Sequence, residues 1–128
     1  MKLTKNFSLE NFECKCGCKM PASVRENIQY LAENLQILRD KVDSPIYLTN
    51  AYRCKAHNAT VGGSKNSQHL LGKAADIKSK ALSPTEIANT ADSLMKNGSF
   101  DAGGIGRYNT FTHLDIRGRK ARWDNTNK

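Results

Sequence analysis

The chain has 128 residues, of which 38% are hydrophobic and 25% are charged, and its 20 basic and 12 acidic residues give a formal net charge of +8. This balance predicts one folded domain over residues 1–128 and excludes a disordered or fibrous protein. The positive charge indicates affinity for anionic partners without specifying which. No run of about 18 apolar residues occurs, so we expect no membrane insertion.

Residues 1–20 form a cysteine-rich N-terminal segment in which Cys14, Cys16 and Cys18 follow a C-x-C-x-C pattern, and a fourth cysteine lies at Cys54. Structural zinc sites usually use C-x2-C, so this spacing supports a metal only weakly. We expect four free thiols, with a disulfide to Cys54 or a bound metal as alternatives. A disulfide would persist only outside a reducing cytoplasm.

Two helices are predicted. Pro21 suits the first helical position, and an apolar stripe then recurs at spacings of four and three: Val24, Ile28, Leu31, Leu35, Leu38 and Val42. Ser83 and Glu86 form a capping box with proline between them, which predicts a second helix ending near Asn97. Its buried face would carry Ile87, Ala91 and Leu94.

Strands are predicted at "SPIYLTNAYR", "AADIKS", "GGIGRY" and "FTHLDIR", because apolar and polar residues alternate there or turn residues flank them. Residues 53–72 are expected to form a long loop, and such loops are usually functional or disordered. The basic run "RGRKAR" is interpreted as a solvated C-terminal segment. The predicted fold class is α+β, with two main helices packed on a small, mostly antiparallel sheet.

Three residues match the ligands of a hydrolytic zinc site, which takes three His, Asp or Glu side chains and leaves one position for water. His69 ends the loop, Asp76 lies on the following strand, and His113 lies on a neighbouring strand. Gly72 permits a tight return between the first two. Ser67 can orient one of these ligand side chains without itself binding the metal.

The stretch "SQHLLGKAAD" matches S-x-H-x-x-G-x-A-x-D, and the flanking "TNAYRCKAHNATVGGSKN" and the later "GGIGRYNTFTHLDIRG" extend the match over nearly the whole chain. These motifs resemble the M15 family of zinc D-Ala-D-Ala carboxypeptidases and peptidoglycan endopeptidases, especially its small phage-type subgroup. The resemblance implies a Hedgehog/D-Ala-D-Ala peptidase-like fold. It also implies that His69, Asp76 and His113 hold Zn²⁺.

The resemblance further implies that Arg53 grips a carboxylate of a peptidoglycan peptide, which suits its planar guanidinium. It places Ser67 and Tyr108 beside the ligands or substrate. Many relatives carry an acid/base residue where this chain has Thr110 and Phe111. Asp115 is the substitute we expect as general base, and its alternative roles are orienting a ligand or pairing with an arginine. If Asp115 is the general base, the Asp115→Asn variant would keep zinc and lose activity.

The sequence therefore predicts a zinc peptidase that hydrolyses peptidoglycan stem peptides or cross-links. The alternative is a non-catalytic, zinc-containing module of the same fold that binds cell wall or protein. Nucleic acid is not an expected partner, because only the positive charge supports it and the sequence contains no recognisable nucleic-acid-binding motif. We expect a monomer. The N-terminus lacks a secretory apolar segment, so the chain would stay cytoplasmic until released to the wall, as phage lysins are.

Overall fold

A computed structural model describes residues 1–126, and within them the chain forms three α-helices and five β-strands. The helices are α1 (Ala22–Val42), α2 (Lys55–Thr60) and α3 (Pro84–Lys96), and two short 3₁₀ turns lie at Leu9–Phe12 and Gln68–Leu71. No helix in this described part is long and apolar enough to cross a bilayer.

The strands are β1 (Tyr47–Asn50), β2 (Ala74–Lys78), β3 (Gly104–Arg107), β4 (Thr112–Asp115) and β5 (Ala121–Asp124). They form one sheet in the order β1-β2-β4-β3-β5. Every neighbouring pair is antiparallel except β3 and β5, which run parallel. The predicted α+β class with a mostly antiparallel sheet is confirmed.

The hydrophobic core lies between the helices and one face of the sheet. The α1 stripe is buried from Val24 to Leu38, and α3 buries its predicted face. Alternate strand residues meet these helices and belong to the same core cluster: Ala75, Ile77, Ile105 and Leu114. Because side chains alternate along a strand, the residues between them face the opposite side of the sheet. Asp76 and His113 lie on that opposite face.

Three local predictions need correction. Pro21 is the residue before α1, with an extended ψ of 154°. Residues 53–72 are not a structureless loop, because they contain α2 and a 3₁₀ turn. Two side chains cap these elements: Cys54 Sγ accepts from the His57 backbone N–H, and Ser67 Oγ accepts from the His69 backbone N–H.

The basic run "RGRKAR", residues 117–122, is also more structured than the sequence predicts. Its last two residues begin β5, which pairs with β3 at the edge of the sheet. Arg122 Nη1 donates to the Gly103 carbonyl at 2.7 Å, and Arg122 Nη2 donates to Asp92 Oδ1 at 2.8 Å. These long-range bonds fix a segment whose composition alone indicates solvent exposure.

Candidate metal centre

His69, Asp76 and His113 converge into one buried group, here called the histidine–aspartate cluster. One ligand atom from each residue lies within 4.8 Å of the others. Asp76 Oδ1 is the shared point, 3.3 Å from His69 Nε2 and 3.2 Å from His113 Nδ1. The two imidazole rings meet edge to face, with their centroids 5.2 Å apart.

Strand register brings two of these residues together. Asp76 on β2 and His113 on β4 are direct cross-strand partners, so their side chains leave the same face of the sheet side by side. His69 lies in the 3₁₀ turn just before β2. That turn ends at Gly72, whose φ of 73° is in the left-handed region and whose missing Cβ avoids Val24. The tight return predicted at Gly72 is confirmed.

Each histidine is held by a hydrogen bond on the nitrogen that faces away from Asp76. His69 Nδ1 lies 2.7 Å from the Ala51 carbonyl, and His113 Nε2 lies 2.8 Å from Asp115 Oδ2. Both partners only accept hydrogen bonds, so these nitrogens carry the protons. In the neutral form of each ring, the lone pairs of His69 Nε2 and His113 Nδ1 therefore face Asp76. This arrangement is typical of histidines that bind a metal, and the three residues fit a divalent cation.

Opposing effects set the ionisation of the cluster. Burial raises the pKa of Asp76, but the hydrogen bonds and charges that His113 and His69 supply when both of their nitrogens are protonated outweigh it and hold that pKa well below its usual range. Burial lowers the pKa of His113, whereas its bonds to Asp115 and Asp76 raise it further than burial lowers it. Asp76 is thus an anionic ligand over the physiological pH range.

Asp115 is completely buried behind His113. Its Oδ1 accepts from the Gly104 backbone N–H at 2.8 Å and from Arg117 Nε at 2.9 Å. Its Oδ2 accepts from Arg117 Nη2 at 2.7 Å besides contacting His113. A Cβ on Gly104 would overlap this carboxylate, so the close approach requires glycine. The geometry therefore favours the ligand-orienting role of Asp115, in an ion pair with Arg117, over that of general base.

The cluster opens onto a cleft of about 850 Å³. Arg53, Arg117 and Arg119 supply positive charge to its lining. The Nε of Arg53 is buried and has no hydrogen-bond partner. Tyr108 and Phe111 stack with their centroids 4.3 Å apart, and Trp123 donates to the Tyr108 hydroxyl at 2.9 Å. The cleft thus presents cationic and aromatic groups beside the cluster.

Most of the predicted site residues line this cleft: Arg53, Ser67, His69, Asp76, Tyr108 and His113. Asp115 is the exception, because it lies behind His113. Sequence reasoning missed Arg119 and Trp123 as lining residues, since Arg119 lies within the segment expected to be solvated and Trp123 comes directly after it. A Trp ring centroid 4.9 Å from that of His113 depends on β5 pairing with β3, which no local pattern indicates.

A buried His–Asp–His cluster at one end of an arginine-lined cleft, on an α+β scaffold, is the arrangement of a metal-dependent hydrolase. The family model for peptidase M15 matches residues 5–115, and the chain belongs to that family. The resemblance noted from the motifs is confirmed. A comparison with curated proteins finds no match to the chain. Family and cluster together fit a metallopeptidase.

Proposed function

We propose that the protein is a zinc peptidase that cleaves peptide bonds of peptidoglycan. The observation that carries the proposal is the histidine–aspartate cluster itself: three ligand atoms converge, and the outward nitrogen of each histidine is already hydrogen-bonded. Membership of the peptidase M15 family supports a hydrolytic use of that cluster.

His69, Asp76 and His113 would hold the zinc ion and leave a position open toward the cleft. When bound, zinc supplies Lewis-acid polarisation of the scissile carbonyl and activates water at about neutral pH. Asp76 contributes the anionic ligand. Asp115 keeps the His113 ring in one orientation and one tautomer, which preserves the lone pair of Nδ1.

Arg53 would bind a carboxylate of the peptide. Its unpartnered Nε is buried at the cleft, and satisfying that donor with a carboxylate removes the cost of leaving it unpaired. Arg119 adds positive charge, and Arg117 is paired with Asp115, while Asp76 is the one carboxylate among the described lining residues. The cleft therefore suits an acidic peptide, such as a peptidoglycan stem with its free carboxylates.

Tyr108 and Ser67 would act from the sides of the cleft. The Tyr108 hydroxyl accepts from Trp123, so its own proton remains available to donate to a bound peptide. Ser67 caps the turn that carries His69 and fixes the position of that ligand. Neither assignment requires a covalent enzyme intermediate.

One observation favours a second candidate, a non-catalytic module that holds zinc and binds wall peptides. Thr110 and Phe111 replace the acid/base residues of many relatives, and Asp115 is fully engaged behind His113. Asp76 is the one carboxylate among the described residues that line the cleft, and it is taken up as a metal ligand, so no free carboxylate there is left to act as a base. Cleavage, rather than binding, separates the two candidates.

Digestion of purified muropeptides tests the proposal. We expect released D-Ala or split cross-links with zinc present, no cleavage after chelation, and recovery when zinc is added back. His113→Ala should be inactive, whereas His57→Ala, a matched change outside the cluster, should stay active. Wild-type protein that binds muropeptides with zinc present but cuts none of them would establish the non-catalytic module instead.

A further inference from the structure

A second group of potential metal ligands lies outside the cleft. Cys14, Cys16 and Cys18 on the N-terminal segment meet Cys54, the residue before α2, and we call these four the cysteine cluster. One sulfur from each residue lies within 4.8 Å of the others. The Gly17 backbone N–H bonds to the Cys14 carbonyl at 3.0 Å, and this turn folds the three N-terminal cysteines together.

The sulfur separations match a shared metal better than a disulfide. Cys14 Sγ lies 3.3 Å from Cys16 Sγ and 3.9 Å from Cys54 Sγ, and the Cys16 and Cys54 sulfurs are 3.5 Å apart. A disulfide bond measures about 2.05 Å. Four thiolates around zinc, each about 2.3 Å from the ion in tetrahedral geometry, would be about 3.8 Å from one another.

We propose that the cysteine cluster binds one structural zinc ion through four thiolates. Thiolates are soft ligands that select zinc, and a complete Cys₄ set leaves no position for water or substrate. The C-x-C-x-C spacing does not weaken this assignment, because the turn at Gly17 and the long-range approach of Cys54 complete the tetrahedron.

Backbone donors already point at two of the sulfurs. The Cys54 N–H donates to Cys14 Sγ and the His57 N–H donates to Cys54 Sγ, each at 3.4 Å. Such N–H groups stabilise bound thiolates. Lys15, Lys19 and Lys55 are sequence neighbours whose charges offset the anionic metal–thiolate group.

The zinc would link the N-terminal segment to the residue that follows Arg53. Arg53 donates its backbone N–H to the His69 carbonyl at 3.1 Å, and Tyr52 donates to the Phe12 carbonyl at 3.1 Å. The cysteine cluster is therefore a positioning element for the segment between β1 and α2 that carries Arg53. Only this last consequence, for substrate binding, rests on the proposed peptidase function.

Metal analysis of protein purified under reducing, chelator-free conditions tests the assignment. We expect two zinc ions per chain, one for each cluster. Cys16→Ser and Cys54→Ser should each lose the zinc of the cysteine cluster and keep that of the histidine–aspartate cluster. His113→Ala should lose the zinc of the histidine–aspartate cluster and keep that of the cysteine cluster. Cobalt substitution should give a thiolate-to-cobalt charge-transfer band in wild type and His113→Ala that is absent from Cys54→Ser.

A single zinc in wild type that His113→Ala removes would overturn the assignment. Four thiols that react freely in the zinc-loaded native protein would also overturn it, as would a mass showing a disulfide under these conditions. Because Cys16 is exposed, its serine variant should fold, so loss of zinc there reports on ligation. A protein that holds zinc at the cysteine cluster but cleaves no muropeptide would contradict only the proposed function. A protein that cleaves muropeptides but binds only one zinc ion would contradict only this inference.

Discussion

The histidine–aspartate cluster and the cysteine cluster both gather metal ligands, but their surroundings differ. The first lies on paired strands, offers three ligands and opens onto a large cleft. The second joins two loop segments, offers four ligands, and contributes no residue to that cleft's described lining. Open three-ligand sites are typical of catalysis and closed four-ligand sites of structure. Ligand number and access, rather than ligand convergence alone, are the basis for proposing different tasks for the two clusters.

The largest expected effect separates the clusters by mutation. His113→Ala should abolish peptidase activity while the chain stays folded, because the thiolate zinc and the hydrophobic core remain. Circular dichroism and muropeptide digestion measure the two properties together. The matched His57→Ala control should change neither. An active His113→Ala variant would show that this cluster is not the catalytic centre.

Graded chelation should sharpen the contrast. A mild chelator should remove the zinc of the open cluster first, so activity disappears before the melting temperature changes much. A stronger chelator that also strips the cysteine cluster should lower the melting temperature clearly, since metal binding free energy at a structural site is folding free energy. Zinc content, activity and thermal unfolding measured on the same samples check this order. Simultaneous loss of all three would contradict it.

Asp115→Asn tests the link between Asp115 and His113. An amide can still contact the ring but no longer neutralises Arg117, so we expect zinc affinity to fall about 10–100-fold. We also expect a loss of about 3 kcal/mol in the free energy of unfolding, as when a buried ion pair loses one partner. Metal competition and urea unfolding measure these quantities. Unchanged zinc affinity with lost activity would instead restore Asp115 as the general base.

Arg53→Lys should have the smallest effect of the series. Lysine keeps the positive charge but loses the planar pair of donors, so kcat/KM should fall about 10-fold, mainly through KM. Zinc content should stay at the wild-type value. Arg25→Lys, an exposed change on α1, serves as the matched control. A normal KM in the Arg53 variant would exclude Arg53 from carboxylate binding.

The sequence predicts the histidine–aspartate cluster far better than the cysteine cluster. The apolar stripe of α1 and the alternation along β4 are both local patterns. The alternation along β4 places Leu114 in the core and His113 on the opposite face. Family motifs select the remaining two ligands. Their roles stay predictions. The structure brings Asp76 to His113 through the pairing of β2 with β4, and it brings His69 to Asp76 through the turn that ends at Gly72.

The remaining features depend on contacts between distant parts of the chain. Cys14 and Cys54 are 40 residues apart, and nothing in the C-x-C-x-C spacing indicates that they meet. Asp115 is ambiguous in sequence because the alternation along β4 does not show whether its carboxylate reaches the open side of the site, as a general base must, or lies behind the His113 ring. The pairing of β5 with β3 depends on the parallel register, so Trp123 could not be assigned to the cleft.

β5 lies at the edge of the sheet, away from the strands that carry Asp76 and His113. Arg117, Arg119 and Trp123 form part of the cleft, yet they lie beyond residue 115, where the family match ends. An edge strand can vary without disturbing the pairing of Asp76 with His113. A substitution in β5 can therefore alter the lining of the cleft while the cross-strand pair of Asp76 and His113 stays in place.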